Sequence, residues 1–156
     1  MTSRHLDPWD FADPDRLLHD IAERTPLRAH QPIIALVADT AGSCELMDCT
    51  YVEVEPRTHW HDASDVLRAA AERLPLPNDR NRPRTGLLLV APRPGRVVFG
   101  PTEEYWLRAC RYINVGRLIF GPDLALVTEH GWRIFLQEAF GGIPRLEHDD
   151  ALSLTS

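Results

Sequence analysis

The closest approach to a metal-binding motif in this chain is His59-Trp60-His61-Asp62, two histidines one residue apart followed by a carboxylate. On a strand, His59 and His61 would point the same way and could grip a divalent cation. The segment leads directly into a helical pattern, however, and Asp62 is well used as a helix cap. A pre-helix turn therefore accounts for the same residues. The other histidines (His5, His19, His30, His130 and His148) show no ligand spacing. The three cysteines, Cys44, Cys49 and Cys110, form an odd set with no C-x-x-C, which suits reduced thiols better than a disulfide framework. Cys44 and Cys49, five apart on an expected strand, should face opposite sides, and Cys110 falls on the inner stripe of a helix. Ser43 follows a glycine but lacks the strand-turn-helix setting of a nucleophile elbow, and there is no glycine-rich phosphate loop.

All 17 basic residues are arginines. The absence of lysine excludes Schiff-base chemistry, a phosphate-loop lysine and a serine–lysine dyad. The arginines are also segregated. Residues 80–117 carry eight of them against Glu103 and Glu104, a net of +6, and the rest of the chain carries −12, for −6 in all. Arginine's planar fork suits carboxylates and phosphates, so this segment is expected to form a basic face on an otherwise acidic protein. The residues assigned to binding are Arg80, Arg82, Arg84, Arg93, Arg96, Tyr105 and Arg108. Tyr105, Trp106 and Tyr112 interleave with the arginines and could stack on bases, though the acidic total favours a protein partner over nucleic acid.

The elements that must position these residues follow from periodicity and punctuation in a chain of 156 residues, a length suited to one domain. Residues 1–12 read as an arm with Trp9 and Phe11 free to dock. Asp13-Pro14-Asp15 opens a helix that Thr25-Pro26 stops. The apolar run 32–38, turn chemistry at 39–43 and alternation over 45–55 predict a strand hairpin. A second helix starts at Asp62 or Ser64 and ends before Pro75, and 75–85 is a loop. A buried strand over 86–90 enters a proline-rich loop, and Thr102 caps a third helix. Short strands are expected at 117–120, 124–128 and 132–136, then a polar tail over 141–156 beyond a single domain at 13–140. The fold class is α+β, a mixed sheet flanked by helices. No apolar h-region begins the chain and the longest apolar run, 87–91, is far short of a span, so a cytoplasmic protein without membrane contact is expected.

This order of elements resembles the JAMM (MPN-type) metalloprotease domain, a plan shared by the RadC proteins. Such domains carry a glutamate in the first strand, H-x-H-P at the end of the central strand and Pro-Ser-x-x-Asp at the next helix. Two histidines and the aspartate hold zinc there, and the glutamate works on its water. The corresponding stretches here are Ala91-Pro92-Arg93-Pro94 and Pro101-Thr102-Glu103-Glu104-Tyr105. The resemblance places the metal histidines at Ala91 and Arg93, the serine at Thr102, the aspartate at Tyr105 and the first-strand glutamate near Pro32. None of these residues suits a zinc ion.

The resemblance thus implies a JAMM/MPN-like sandwich without catalytic metal or other cofactor. Its expected role is an interaction or scaffold module, pairing with itself or with an acidic protein through the arginine-rich face. Two alternatives are a nucleic-acid-binding protein using that face, and a hydrolase with a relocated site. The latter would draw on His59, His61 and Asp62, or on Arg93, Tyr105 and Glu104.

Overall fold

The computed structural model describes residues 6–53, 60–75, 85–111, 113 and 119–147. Helix α1 (Pro14–Arg24) starts as its sequence requires. Asp13 accepts a hydrogen bond from the Arg16 amide at 3.3 Å, Pro14 occupies the first turn, and Leu17, Leu18 and Ile21 are buried. Strands β1 (Ile33–Ala38) and β2 (Glu45–Tyr51) form the antiparallel hairpin. Helix α2 (Trp60–Glu72), strand β3 (Thr85–Pro92), helix α3 (Pro101–Arg111) and strands β4 (Ile119–Thr128), β5 (Gly131–Ile134) and β6 (Phe140–Gly141) follow.

The six strands make one mixed sheet in the order β2-β1-β3-β4-β5-β6. Only β3 and β4 run parallel, and α3 is the crossover that such a pair needs. The protein is therefore α+β, with helices on both faces of the sheet. Alternation along the central strands sorts the core into two clusters. Ile34, Leu36, Leu87, Leu89 and Leu124 pack beneath α2 and α3. Ile33, Ala35, Leu88, Val90, Ala125 and Trp132 pack with α1 and Phe11 on the other face. Because both faces of β3 are covered, every residue along it must be able to live in the interior, and every one is buried.

Several boundaries differ from expectation for identifiable reasons. Helix α2 begins at Trp60, which places Asp62 in its first turn rather than at its cap. One ten-residue β4 replaces the two short strands expected at 117–120 and 124–128. Its partners step from Gly86↔Phe120 to Leu88↔Asp123, so Gly121 and Pro122 together stand opposite Leu87 and the one extra residue is absorbed in a bulge, where proline is tolerated. Strand β5 stops at Ile134 because the Asp123 carboxylate accepts the amides of Leu136 (2.9 Å) and Gln137 (3.1 Å) and turns the chain away. Two-residue β6 was too short to announce itself. It pairs closely with β5: a side chain at Gly131 (φ +129°) would meet the Gly141 carbonyl at 2.3 Å.

Cys44 and Cys49 lie on the same side of the sheet, not on opposite sides. A bulge seats one extra residue in β2, with Leu36 facing Asp48 and Val37 facing Leu46. Cys44 precedes the strand in a turn at φ +51°. Alternation is broken, and both cysteines pack in the α1-side cluster.

The arm is held to the body. Phe11 is buried, and its amide and carbonyl bond reciprocally to the Gln137 side chain, both at 2.9 Å. The Ala12 amide reaches the Thr40 carbonyl, and the Thr40 hydroxyl donates to the Pro8 carbonyl. At the other end Leu146 is buried, with its amide on the Thr128 carbonyl. No helix among the described residues is long and apolar enough to cross a membrane. Gln137→Ala would leave two buried backbone groups unpaired and should cost about 2 kcal/mol in chemical denaturation. It should also expose the peptide bonds near Phe11 to limited proteolysis.

Candidate functional site

Strand β3 delivers Ala91 and Pro92 to one end of the sheet, and residues 93–100 loop back into α3. Helix α3 is capped by Gly100, not by Thr102. Pro101 takes the first helical position and Glu103 the third, where its Oε1 accepts the Gly100 amide at 2.8 Å. This is the glutamate half of a capping box, and it leaves Thr102 in the first turn.

Glu103 is fully buried, and Arg93 meets it with two parallel bonds, Nε to Oε2 at 2.9 Å and Nη2 to Oε1 at 2.7 Å. Bidentate geometry of this kind is the strong form of the arginine–carboxylate pair. The remaining capacity of the guanidinium goes to carbonyls of its own loop, Pro94 at 3.1 Å, Arg96 at 3.4 Å and Val98 at 2.7 Å. From the other side, Glu129 accepts the Gly95 amide at 3.0 and 3.1 Å. Burial pushes the Glu103 carboxyl up. The bonds from Arg93 and Gly100 and the attraction of the Arg93 charge outweigh it and hold the group below its ordinary value.

A zinc centre of the JAMM kind does not fit these residues. Ala91 is buried and offers no lone pair. Arg93 would place a cation beside a dication. Burial, with Asp62 nearby, pushes the Tyr105 phenol up, so it stays protonated at neutral pH. Pro32 contributes only its carbonyl, which accepts the Val52 amide at 2.8 Å. Among the described residues no group of three or more His, Cys, Asp or Glu could hold a metal ion.

The residues expected to bind are thus divided. Arg93 is turned inward as the cation of the loop. Tyr105 is half-buried, its ring edge-on to Trp106 at 5.2 Å and packed against the α2–α3 core. Arg96 and Arg108 are exposed, and Arg108 reaches Glu104 at 3.2 Å one helical turn away. Arg80, Arg82, Arg84, Arg117 and Tyr112 lie outside the described residues, as does His59. The Arg93–Tyr105–Glu104 grouping is not assembled: Arg93 holds Glu103, and Glu104 turns to Arg108 on the exposed side of α3. Burial, with Asp123 adding to it, pushes the Cys110 thiol up to about 12, and burial raises Cys44 and Cys49 too, so none is a ready nucleophile.

A larger feature went unread in the sequence. Between α3 and the β4–β5 end of the sheet runs a cavity of about 1050 Å³, walled by Phe99, Leu107, Pro122, Phe135 and Leu136, with Phe11 at its foot. Phe99 and Phe135 meet edge-to-face at 5.1 Å, and the Arg133 guanidinium stands 5.4 Å over Phe99. These walls come from four distant parts of the chain. The one local hint was Phe135-Leu136, two apolar residues in succession where a strand should alternate.

Comparison with family models, curated proteins and solved structures finds no match to this chain.

Arg93→Ala should destabilise the protein by roughly 3 kcal/mol, because it strands a buried carboxylate, and Glu103→Gln should cost less. A lowered native pKa means the pair's contribution is complete above the ordinary carboxylate pKa of about 4.3 and lost as pH falls through the lower native value. The stability gap between wild type and Glu103→Gln, followed by urea denaturation, should therefore be constant near neutrality and close below about pH 4.

Proposed function

We propose that this chain is a JAMM/MPN-like domain without a working metal centre, serving as an interaction or scaffold module for an acidic protein partner. The order of elements supports the likeness. A helix, a strand hairpin and a second helix lead to a central strand that runs through a proline-containing loop into a third helix. The observation that carries the reading is the Arg93–Glu103 pair. It fills the junction of central strand and helix with a neutral, hydrogen-bonded unit where the likeness would require metal ligands.

An arginine is a rational occupant of such a position. It supplies positive charge beside a buried carboxylate and ties loop to helix through fixed donors. The cost is chemical. Nothing at Ala91, Arg93 or Tyr105 can bind and activate a water, and the site becomes a brace. Exposed Arg96, Arg108 and Arg111 remain to meet an anionic surface. The net charge of −6 weighs against nucleic acid, whose dense, continuous line of phosphates would meet more repulsion from the rest of the chain than a protein carrying acids on one face.

Zinc decides the first half of this reading. Protein purified without chelator should carry far less than one equivalent by mass spectrometry. Added zinc should leave the melting temperature unchanged, whereas a site held at one hundred times its Kd would add about 2.7 kcal/mol. Stoichiometric zinc would overturn the reading and return attention to His59 and His61. Arg96→Glu should fold normally and weaken capture of the partner. Arg93→Glu is no substitute for it, because a second carboxylate would then face Glu103 in the interior.

A further inference from the structure

Residues 6–12 cross the foot of the groove that the cavity forms beside α3, and they belong to no helix or strand. They carry their own turn. The Asp10 amide bonds the Asp7 carbonyl, and the Asp7 amide returns a bond to the Asp10 carboxylate, both at 3.0 Å. Helix α1 is capped by Asp13, so its first turn does not need what precedes it. Lifting residues 6–12 off the body would break contacts across one seam and no secondary structure.

Two residues from separate parts of the sheet latch that seam. Gln137, beyond β5, accepts the Phe11 amide and donates to the Phe11 carbonyl, and its own amide is set by Asp123. Thr40, beyond β1, donates its hydroxyl to the Pro8 carbonyl, and its carbonyl accepts the Ala12 amide at 2.8 Å. Between the latches Phe11 seats its ring in the α1-side cluster. Trp9 and Phe11 line the groove together with Pro122, Phe135 and Leu136, so the docked segment is one of its walls.

Asp10 opposes this docking. Its carboxylate is buried with the segment, close enough to the buried Asp123 for the two negative charges to act on one another. Acid set against acid pushes the segment outward, while the Phe11 ring and the two latches pull it inward. A segment balanced in this way opens at a free energy well below that of whole-domain unfolding.

We infer that residues 6–12 form a strap that closes the foot of the groove and releases from Gln137 and Thr40 as one unit while the domain stays folded. Release vacates the seat of Phe11 and joins it to the groove, so the strap sets how much apolar space is open there. The inference stands on the strap's own contacts and is independent of any metal centre in the domain.

Amide hydrogen exchange followed by NMR on the full chain tests this. In the wild type the Phe11 and Ala12 amides should share one protection factor, at least about tenfold below that of the β3 amides. Each latch is then cut and the other is read. Gln137→Ala removes both bonds to Phe11, and the Ala12 amide, which bonds Thr40, should exchange at least about tenfold faster. Thr40→Val, a milder change, removes the hydroxyl bond to Pro8 and should speed the Phe11 amide, which bonds Gln137. Asp10→Asn keeps an acceptor for the Asp7 amide and removes the opposing charge, so both amides should slow. Nile red, an uncharged apolar dye, should bind Gln137→Ala and Thr40→Val more than wild type, at unchanged circular dichroism.

Phe11 and Ala12 exchanging at the pace of β3 would mean that the segment leaves only when the domain unfolds, and the strap would be lost. An Ala12 amide indifferent to Gln137→Ala, or a Phe11 amide indifferent to Thr40→Val, would show latches that open separately and sink the single unit. Equal dye uptake by wild type and a variant that does release would remove the closure of the groove.

Discussion

The double burial of β3 governs the architecture. A strand covered on both faces can carry no charge along its length, so polar chemistry is forced to its ends. Arg93 is the first charged residue after that apolar stretch, and it emerges where the sheet, the 93–100 loop and the start of α3 converge. Its guanidinium cannot be left unpaired there, nor can the fully buried Glu103 opposite. The bidentate bond answers both demands. The amide of Gly100 on the same carboxylate makes helix capping and charge neutralisation one arrangement. Loop path and helix start both follow from that contact.

The sheet's asymmetry follows from the same layout. Crossing from β3 to parallel β4 places α3 over those two strands, and α2 packs beside it over the β1 side. No described helix then lies on the far side of α3, where Phe99 of the loop meets Phe135 and Arg133. The arm reaches across from residue 11 to Gln137 and seals the foot of the sheet, but it leaves the α3 side of β5 and β6 uncovered. Brace and groove are two outcomes of one placement of α3, the first at its buried edge and the second at its exposed edge.

Element types and their order were written locally. Asp13-Pro14 can begin a helix and cannot continue one, and the five-residue apolar run 87–91 between turn signals has the length and punctuation of a buried strand. The places where expectation failed were those where a distant partner overrode a local signal. Gly121-Pro122 resembles a break until β3 offers a bulge to hold it. Asp123 shortens β5 by capping Leu136 and Gln137 more than ten residues downstream. Cys44 and Cys49 share a side because pairing with β1 forces a bulge that no count of residues along β2 would show.

The candidate site divides in the same way. The arginine-rich composition of residues 80–117 and the lack of ligand chemistry at Ala91, Arg93 and Tyr105 are properties of residue types, so the sequence alone determined them. Which arginine is a surface cation and which an internal one depends on what lies within about 3 Å of its nitrogens, the reach of a hydrogen bond. Only the tertiary structure decided that, turning Arg93 onto Glu103 and leaving Arg96 and Arg108 outside. The groove has no sequence of its own: Phe99, Leu107, Pro122 and Phe135 are ordinary apolar residues until the crossover of α3 sets them around one cavity. A charge is carried by the chain, but a surface exists only once the chain has folded.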